Sequence, residues 1–127
     1  MQVGKFVALV TFVGAGSFAL PQTTLAQDVA RSFVASPDVY KVIAEDEKYR
    51  VIAVTWKPGQ RDAWHSHGAP VAVYNLTDCN MRIHTPDGKV VDNNIKAGNA
   101  RVREQAPSHS LENVGSTECT MVLFEPK

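Results

Sequence analysis

Beyond Ser36 the chain never sustains an apolar period of 3.6 residues. It breaks instead into short runs rich in Val, Ile, Tyr and Thr, each closed by Gly, Pro, Asn or Asp. "YKVIAED", "YRVIAVTWKPG", "DAWHSH", "VAVYNLT", "NMRIHT", "KVVDNNIKAG", "ARVREQ", "HSLENVG" and "CTMVLFEP" all read as strands. "TPDGK", Thr85 to Lys89, is a hairpin turn in which Gly88 can take a positive φ. Only "QDVARSFVAS" can make a helical turn or two. Many short strands at regular spacing predict an all-β sandwich or barrel. No internal repeat or low-complexity segment interrupts the pattern.

The first residues carry a different signal. "MQVGKFVALVTFVGAGSFALPQTTLAQ" has a basic Lys5, an apolar run from Phe6 to Leu20, and Thr24 and Ala26 at the −3 and −1 positions of a cleavage site. That layout predicts a signal peptide over residues 1–26 and a periplasmic or secreted protein. A membrane anchor is the alternative, but the apolar run falls short of the ~20 residues needed to cross a bilayer. Cleavage would leave an N-terminal extension over residues 27–39 and a domain over residues 40–127. A single domain fits the length of 127 residues. The formal net charge is zero and no basic cluster stands out. Nucleic acid and anionic membrane surfaces are therefore not expected as partners.

Chemistry concentrates around two of the four histidines. His65 and His67 lie at i and i+2, so a strand would point both imidazoles to one side. His109, on a later strand, can supply a third. Three imidazoles converging inside a small barrel suit a divalent first-row metal. An isolated H-x-H is also common as a surface or structural pair, so the spacing alone leaves both roles open.

The surrounding residues add a resemblance. Gly59, five residues, His65, one residue and His67 reproduce the first cupin motif, G-x5-H-x-H. Pro107, His109 and Asn113 match the end of the second, P…H-x3-N, without its usual glycine between proline and histidine. From about Tyr40 to Glu125 the chain thus resembles a small single-domain cupin. The resemblance implies a double-stranded β-helix, or jelly-roll barrel, and a metal held by His65, His67 and His109. Cupins with four protein ligands follow H-x-H with three or four residues and then a glutamate, at places where this chain has Val71 and Ala72. Three outcomes stay open: a three-histidine site as in dioxygenase cupins, an acid from elsewhere such as Glu104 or Asp62, or a pocket without metal.

A divalent ion on three neutral imidazoles keeps its full charge, so an anionic or chelating ligand is expected. Fe, Mn, Ni, Cu and Zn all suit the donors. The resemblance implies a dioxygenase-like oxidoreductase acting on a small metabolite. The alternatives are a non-catalytic ligand-binding or sensing cupin, and an isomerase or hydrolase. Val71 and Val73 share strand parity with the missing acid and should form an apolar pocket wall, with Asn75 further along. Arg101 and Arg103 share one strand face, either clamping a substrate carboxylate or forming a solvated edge. Trp64 and Tyr74 should point away from the metal, His84 should be a surface histidine, and Asn113 should hold a turn. A homodimer with exchanged N-terminal strands is the family's habit.

Cys79 and Cys119 lie in the turn-like segments "TDC" and "TEC". Export favours a disulfide, with two free buried thiols as the alternative. Jelly-roll topology, implied by the resemblance, places both turns at one end of the barrel and so favours the bridge.

Overall fold

The computed structural model describes residues 29–67, 70–104 and 108–127. The expected leader, residues 1–26, and Pro107 of the second motif lie outside them. The chain runs α1 (Ser32–Ala35), β1 (Tyr40–Glu45), β2 (Tyr49–Trp56), β3 (Val71–Asn75), β4 (Cys79–His84), β5 (Val90–Ile95), β6 (Ala100–Arg103), β7 (Ser110–Asn113) and β8 (Cys119–Pro126). Every strand pairing between these elements is antiparallel. Two sheets result, one ordered β1-β2-β8-β3-β6 and the other β5-β4-β7. This is the all-β arrangement expected from the strand pattern, in the jelly-roll form that the resemblance implied. Among the described residues no helix is long and apolar enough to cross a membrane.

Alternation along the strands sets the inside. In β3, Val71, Val73 and Asn75 are buried while Ala72 and Tyr74 are exposed. Met121 and Leu123 from β8, Ile52, Val54 and Trp56 from β2, and Met81 from β4 face the same interior. Fully burying one such side chain is worth about 1.5–3 kcal/mol, so this shared face dominates the stability. The predicted hairpin forms as read: Gly88 has φ 82° and the Thr85 amide donates to the Lys89 carbonyl at 3.0 Å. A disulfide joins Cys79 to Cys119, at the starts of β4 and β8, with Cα atoms 5.0 Å apart.

One predicted strand is not continuous. "DAWHSH" and Arg61 before it make isolated pairings, Arg61 with Glu112, His65 with His109 and Ser66 with Arg31. Between the first two, the Asp62 amide still donates to the Leu111 carbonyl, but side chains supply the other bonds. The Leu111 amide donates to the Asp62 carboxylate at 2.7 Å, and the Ser110 hydroxyl donates to the Asp62 carbonyl at 2.8 Å. The ladder is thus traded for a buried carboxylate beside the histidines. Residues ahead of β1 pack onto the same stretch: the Ser66 amide donates to the Ala30 carbonyl at 3.0 Å, and its hydroxyl to the Val29 carbonyl at 2.7 Å. β1 pairs with β2 of its own chain.

Candidate metal centre

His65, His67 and His109 meet in one place. One ring nitrogen from each lies within 4.8 Å of the others. The ring centroids of His65 and His109 are 4.3 Å apart, and those of His65 and His67 5.1 Å. Local backbone explains the convergence. His65 and His109 exchange both amide hydrogen bonds, at 2.9 and 3.0 Å, which fixes them directly opposite each other. Two residues on, His67 shares the face of His65.

Burial favours the neutral, metal-binding form of His65 and His109. His65 and His67 are buried and His109 nearly so. Desolvation, reinforced by His65, His67 and Arg103, lowers His109 to about 3. Desolvation also lowers His65, although Asp62 and the Ala63 carbonyl oppose it. The His65 Nδ1 lies 3.0 Å from the Ala63 carbonyl, which can only accept, so Nδ1 carries the proton and Nε2 the lone pair. Nδ1 of both His67 and His109 is buried without a hydrogen-bond partner. Three converging imidazoles, two with an orphaned buried nitrogen, fit a divalent first-row ion.

Behind the rings stand carboxylates. Asp62 is buried, and its Oδ2 accepts from the Tyr40 hydroxyl at 2.8 Å and Trp56 Nε1 at 3.1 Å. Its Oδ1 lies 3.7 Å from His65 Nδ1, away from the metal-binding nitrogen. Asp62 is therefore a supporting group and not the acid that completes the ligand set. Glu125 lies 4.0 Å from His67 Nδ1, and its other oxygen accepts from Arg31 at 3.0 Å. Burial raises the Glu125 carboxyl, but His67 and Arg31 outweigh that and hold it below its ordinary value. Supports of this kind orient ligating histidines. The sequence marked neither Tyr40 nor Glu125; only an aromatic and an acid at strand positions of inward parity hinted at them.

His67 and His109 open onto a cavity of about 700 Å3. Val71 and Val73 form part of its wall with Met81, Ile83, Met121 and Leu123. Val71 pairs with Arg103 and Val73 with Arg101, so both arginines also line the cavity and are not confined to a solvated edge. Asn75 departs from its expected place in the lining. It is fully buried beyond the wall, where it accepts from Arg101 Nη1 at 2.8 Å and donates to Cys79 Sγ at 3.6 Å. Its short side chain is consumed in holding Arg101 against the disulfide. Arg101 Nε is buried without a partner. Glu104 lines the cavity but does not belong to the histidine cluster.

The remaining expectations concern the outside. His84 bonds Glu112 at 3.0 Å across β4 and β7, apart from the metal cluster. Trp64 is 44% exposed beneath the Arg61 guanidinium, and Tyr74 is 48% exposed on the outer face of β3. Asn113 bridges the Trp56 and Thr117 carbonyls and accepts the Gly115 amide, which holds a turn.

No protein-family model matches the chain, and no curated protein matches it. Solved structures do. A cupin domain from Bordetella pertussis Tohama I is 26% identical over 70% of this chain and 92% of its own, with a TM-score of 0.65. An RmlC-like cupin with a double-stranded β-helix from Methanocaldococcus jannaschii is 15% identical over 69% of this chain and 78% of its own, at a TM-score of 0.56. The polyketide cyclase RemF from Streptomyces resistomycificus is 15% identical over 68% of this chain and 63% of its own, at 0.54. These likenesses agree with the all-β fold and its two sheets.

Proposed function

We propose that this chain, a cupin by fold, is an exported metal-dependent oxidoreductase of the dioxygenase kind, acting on a small acidic or chelating metabolite. One observation carries the reading: three imidazoles converge within 4.8 Å beside a cavity whose wall at Val71 is apolar, where a four-ligand set would carry an acid. His65, His67 and His109 would hold the ion, which supplies Lewis acidity and, where redox-active, a place for dioxygen. The chain's own groups do the rest. Val71, Val73 and Leu123 keep water from the adjoining wall. Arg101 and Arg103 bring positive charge to the same interior, and Asn75 fixes Arg101 in place.

The leader-like residues 1–26 and the Cys79–Cys119 bridge support export, since disulfides persist in oxidising compartments. There Fe(II) oxidises readily, so Mn, Ni, Cu or Zn suits the site as well. The test combines elemental analysis of the purified protein with oxygen uptake on a panel of diketones, thiols and flavonols. Bound metal with oxygen consumption is the expected result. Bound metal with binding heat but no consumption points to the second reading, a non-catalytic ligand-binding cupin, which the large apolar cavity favours. Turnover without oxygen uptake identifies an isomerase or hydrolase. Protein that takes up no first-row ion refutes the metal reading.

A further inference from the structure

We propose that the outer face of the β1-β2-β8-β3-β6 sheet binds a second copy of this chain, in a two-fold, face-to-face homodimer. Strand register lays out that face. Ala53, Val122, Tyr74 and Ala100 stand side by side across β2, β8, β3 and β6. Val51, Phe124, Ala72 and Val102 form a second row beside them. The other outward positions of β2 and β8 hold Tyr49, Thr55, Thr120 and Pro126. None of these side chains is charged, although 20% of the chain is. A sheet with one face in water alternates apolar residues inward with polar residues outward. These four strands keep the inward half of that rule and break the outward half.

Among the described residues nothing covers the face. Val102 is 73% exposed, Tyr74 48%, Phe124 43% and Tyr49 42%. Tyr49 stacks on Phe124 with ring centroids 4.9 Å apart, so the two make one apolar ridge. Residues ahead of β1 lie on the other side of the sheet, where Phe33 packs on the core and Arg31 donates to buried Glu125. Taking about 200 Å2 for a whole aromatic side chain, Tyr49, Tyr74 and Phe124 expose roughly 270 Å2 together. Val102 and the smaller residues bring the face to about 600 Å2, the top of the range for a monomer's largest apolar patch. Two copies would bury about 1,200 Å2 between them, the lower bound of a specific, stable interface.

A second copy is the partner this face fits. Two-fold contact sets a patch against itself, so any charge in it would meet its like. This patch has none. The same symmetry requires bumps and hollows on one surface. Tyr74 and Phe124 are the bumps, and an open groove of about 460 Å3 lies over Ala72 and Ala100 between them and Val102. Lys41, opposite Ala53 on β1, brings charge only to the rim. β1 stays paired with β2 of its own chain, so the copies pack without exchanging strands. Val73 and Arg101 point from the inward sides of β3 and β6 into the histidine cavity. Both cavities therefore face away from the contact, and neither the histidines nor a bound ion takes part in it.

Sedimentation velocity over a concentration series tests the interface. Purified wild type should run as a dimer at high concentration. Tyr74→Asp and Phe124→Asp, both at exposed positions, should raise the dissociation constant a hundredfold or more while keeping the wild-type circular dichroism. Val90→Asp, exposed on β5 of the other sheet, should leave the dimer intact. Hydroxyl-radical footprinting of wild type reads the face without any variant, so a poorly folded substitution does not blunt the test. Tyr74 and Phe124 should be protected in the dimer and labelled in the diluted monomer. A dimer that survives both substitutions, or one in which these rings stay labelled, overturns the proposal. Wild type that is monomeric throughout overturns it too, and protected rings in that monomer would assign the face to residues 1–28 of the same chain.

Discussion

Removing the Cys79–Cys119 bridge should nearly unmake this domain. The two residues are 40 apart in sequence. Closing a loop of about 40 residues removes about 13 cal/mol/K from the unfolded chain in the loop-entropy treatment, or about 4 kcal/mol at 25 °C. Both cysteines are almost wholly buried, so replacing them also costs core contacts. A small domain typically has only about 5–15 kcal/mol in total. With about 4–8 °C per kcal/mol for a domain of this size, the double variant Cys79→Ala/Cys119→Ala should melt roughly 15–30 °C below wild type. Urea unfolding at equilibrium, without reductant, checks the magnitude. The variant's m-value should rise, because its unfolded chain is no longer tied and exposes more surface. Wild type unfolded in excess reductant should reproduce the variant. A double variant within about 1 kcal/mol of wild type and with an unchanged m-value would refute the reasoning, since the bridge would then not constrain the unfolded state.

His65→Ala, His67→Ala and His109→Ala should each strip bound metal in elemental analysis, whereas His84→Ala, whose ring serves Glu112, should not. Metal-free protein should lose stability in acid: the His109 pKa is lowered to about 3 in the fold, so the unfolded chain binds the extra proton. Stability is then full above the ordinary histidine value near 6.5 and falls by about 1.4 kcal/mol per pH unit as pH drops towards about 3, which urea titration at several pH values measures. Metal affinity should fall in acid, since ligation needs neutral imidazoles, as chelator competition at several pH values can show. Val71→Glu places an acid on the cavity wall and should tighten Mn(II) binding while lowering any oxygen-dependent turnover; a folded variant with unchanged affinity would mean that residue 71 does not reach the ion.

Local pattern carried a good part of this protein. Strands β1 to β8 follow from β-branched runs and their turn residues, because period-2 alternation and turn chemistry are properties of neighbouring residues. The shared face of His65 and His67 follows from the same parity, and so does the apolar wall at Val71 and Val73. Where parity was the only guide it also misled. Asn75 has inward parity, yet it is spent behind the wall on Arg101 and Cys79. "DAWHSH" has strand composition, yet Asp62 displaces its ladder with a side chain.

Partnerships between residues far apart in the chain come from the fold. Tyr40 reaches Asp62 across 22 positions, Asp62 reaches Leu111 across 49, and Arg31 reaches Glu125 across 94. None leaves a local mark, because a buried carboxylate is tolerated only where distant donors converge on it, and convergence is set by sheet order and register. Sequence showed that His65 and His67 share a face and that no acid follows them at Val71 or Ala72. Folding brought His109 opposite His65 and set the Tyr40 phenol and the Asp62 carboxylate against the His65 ring.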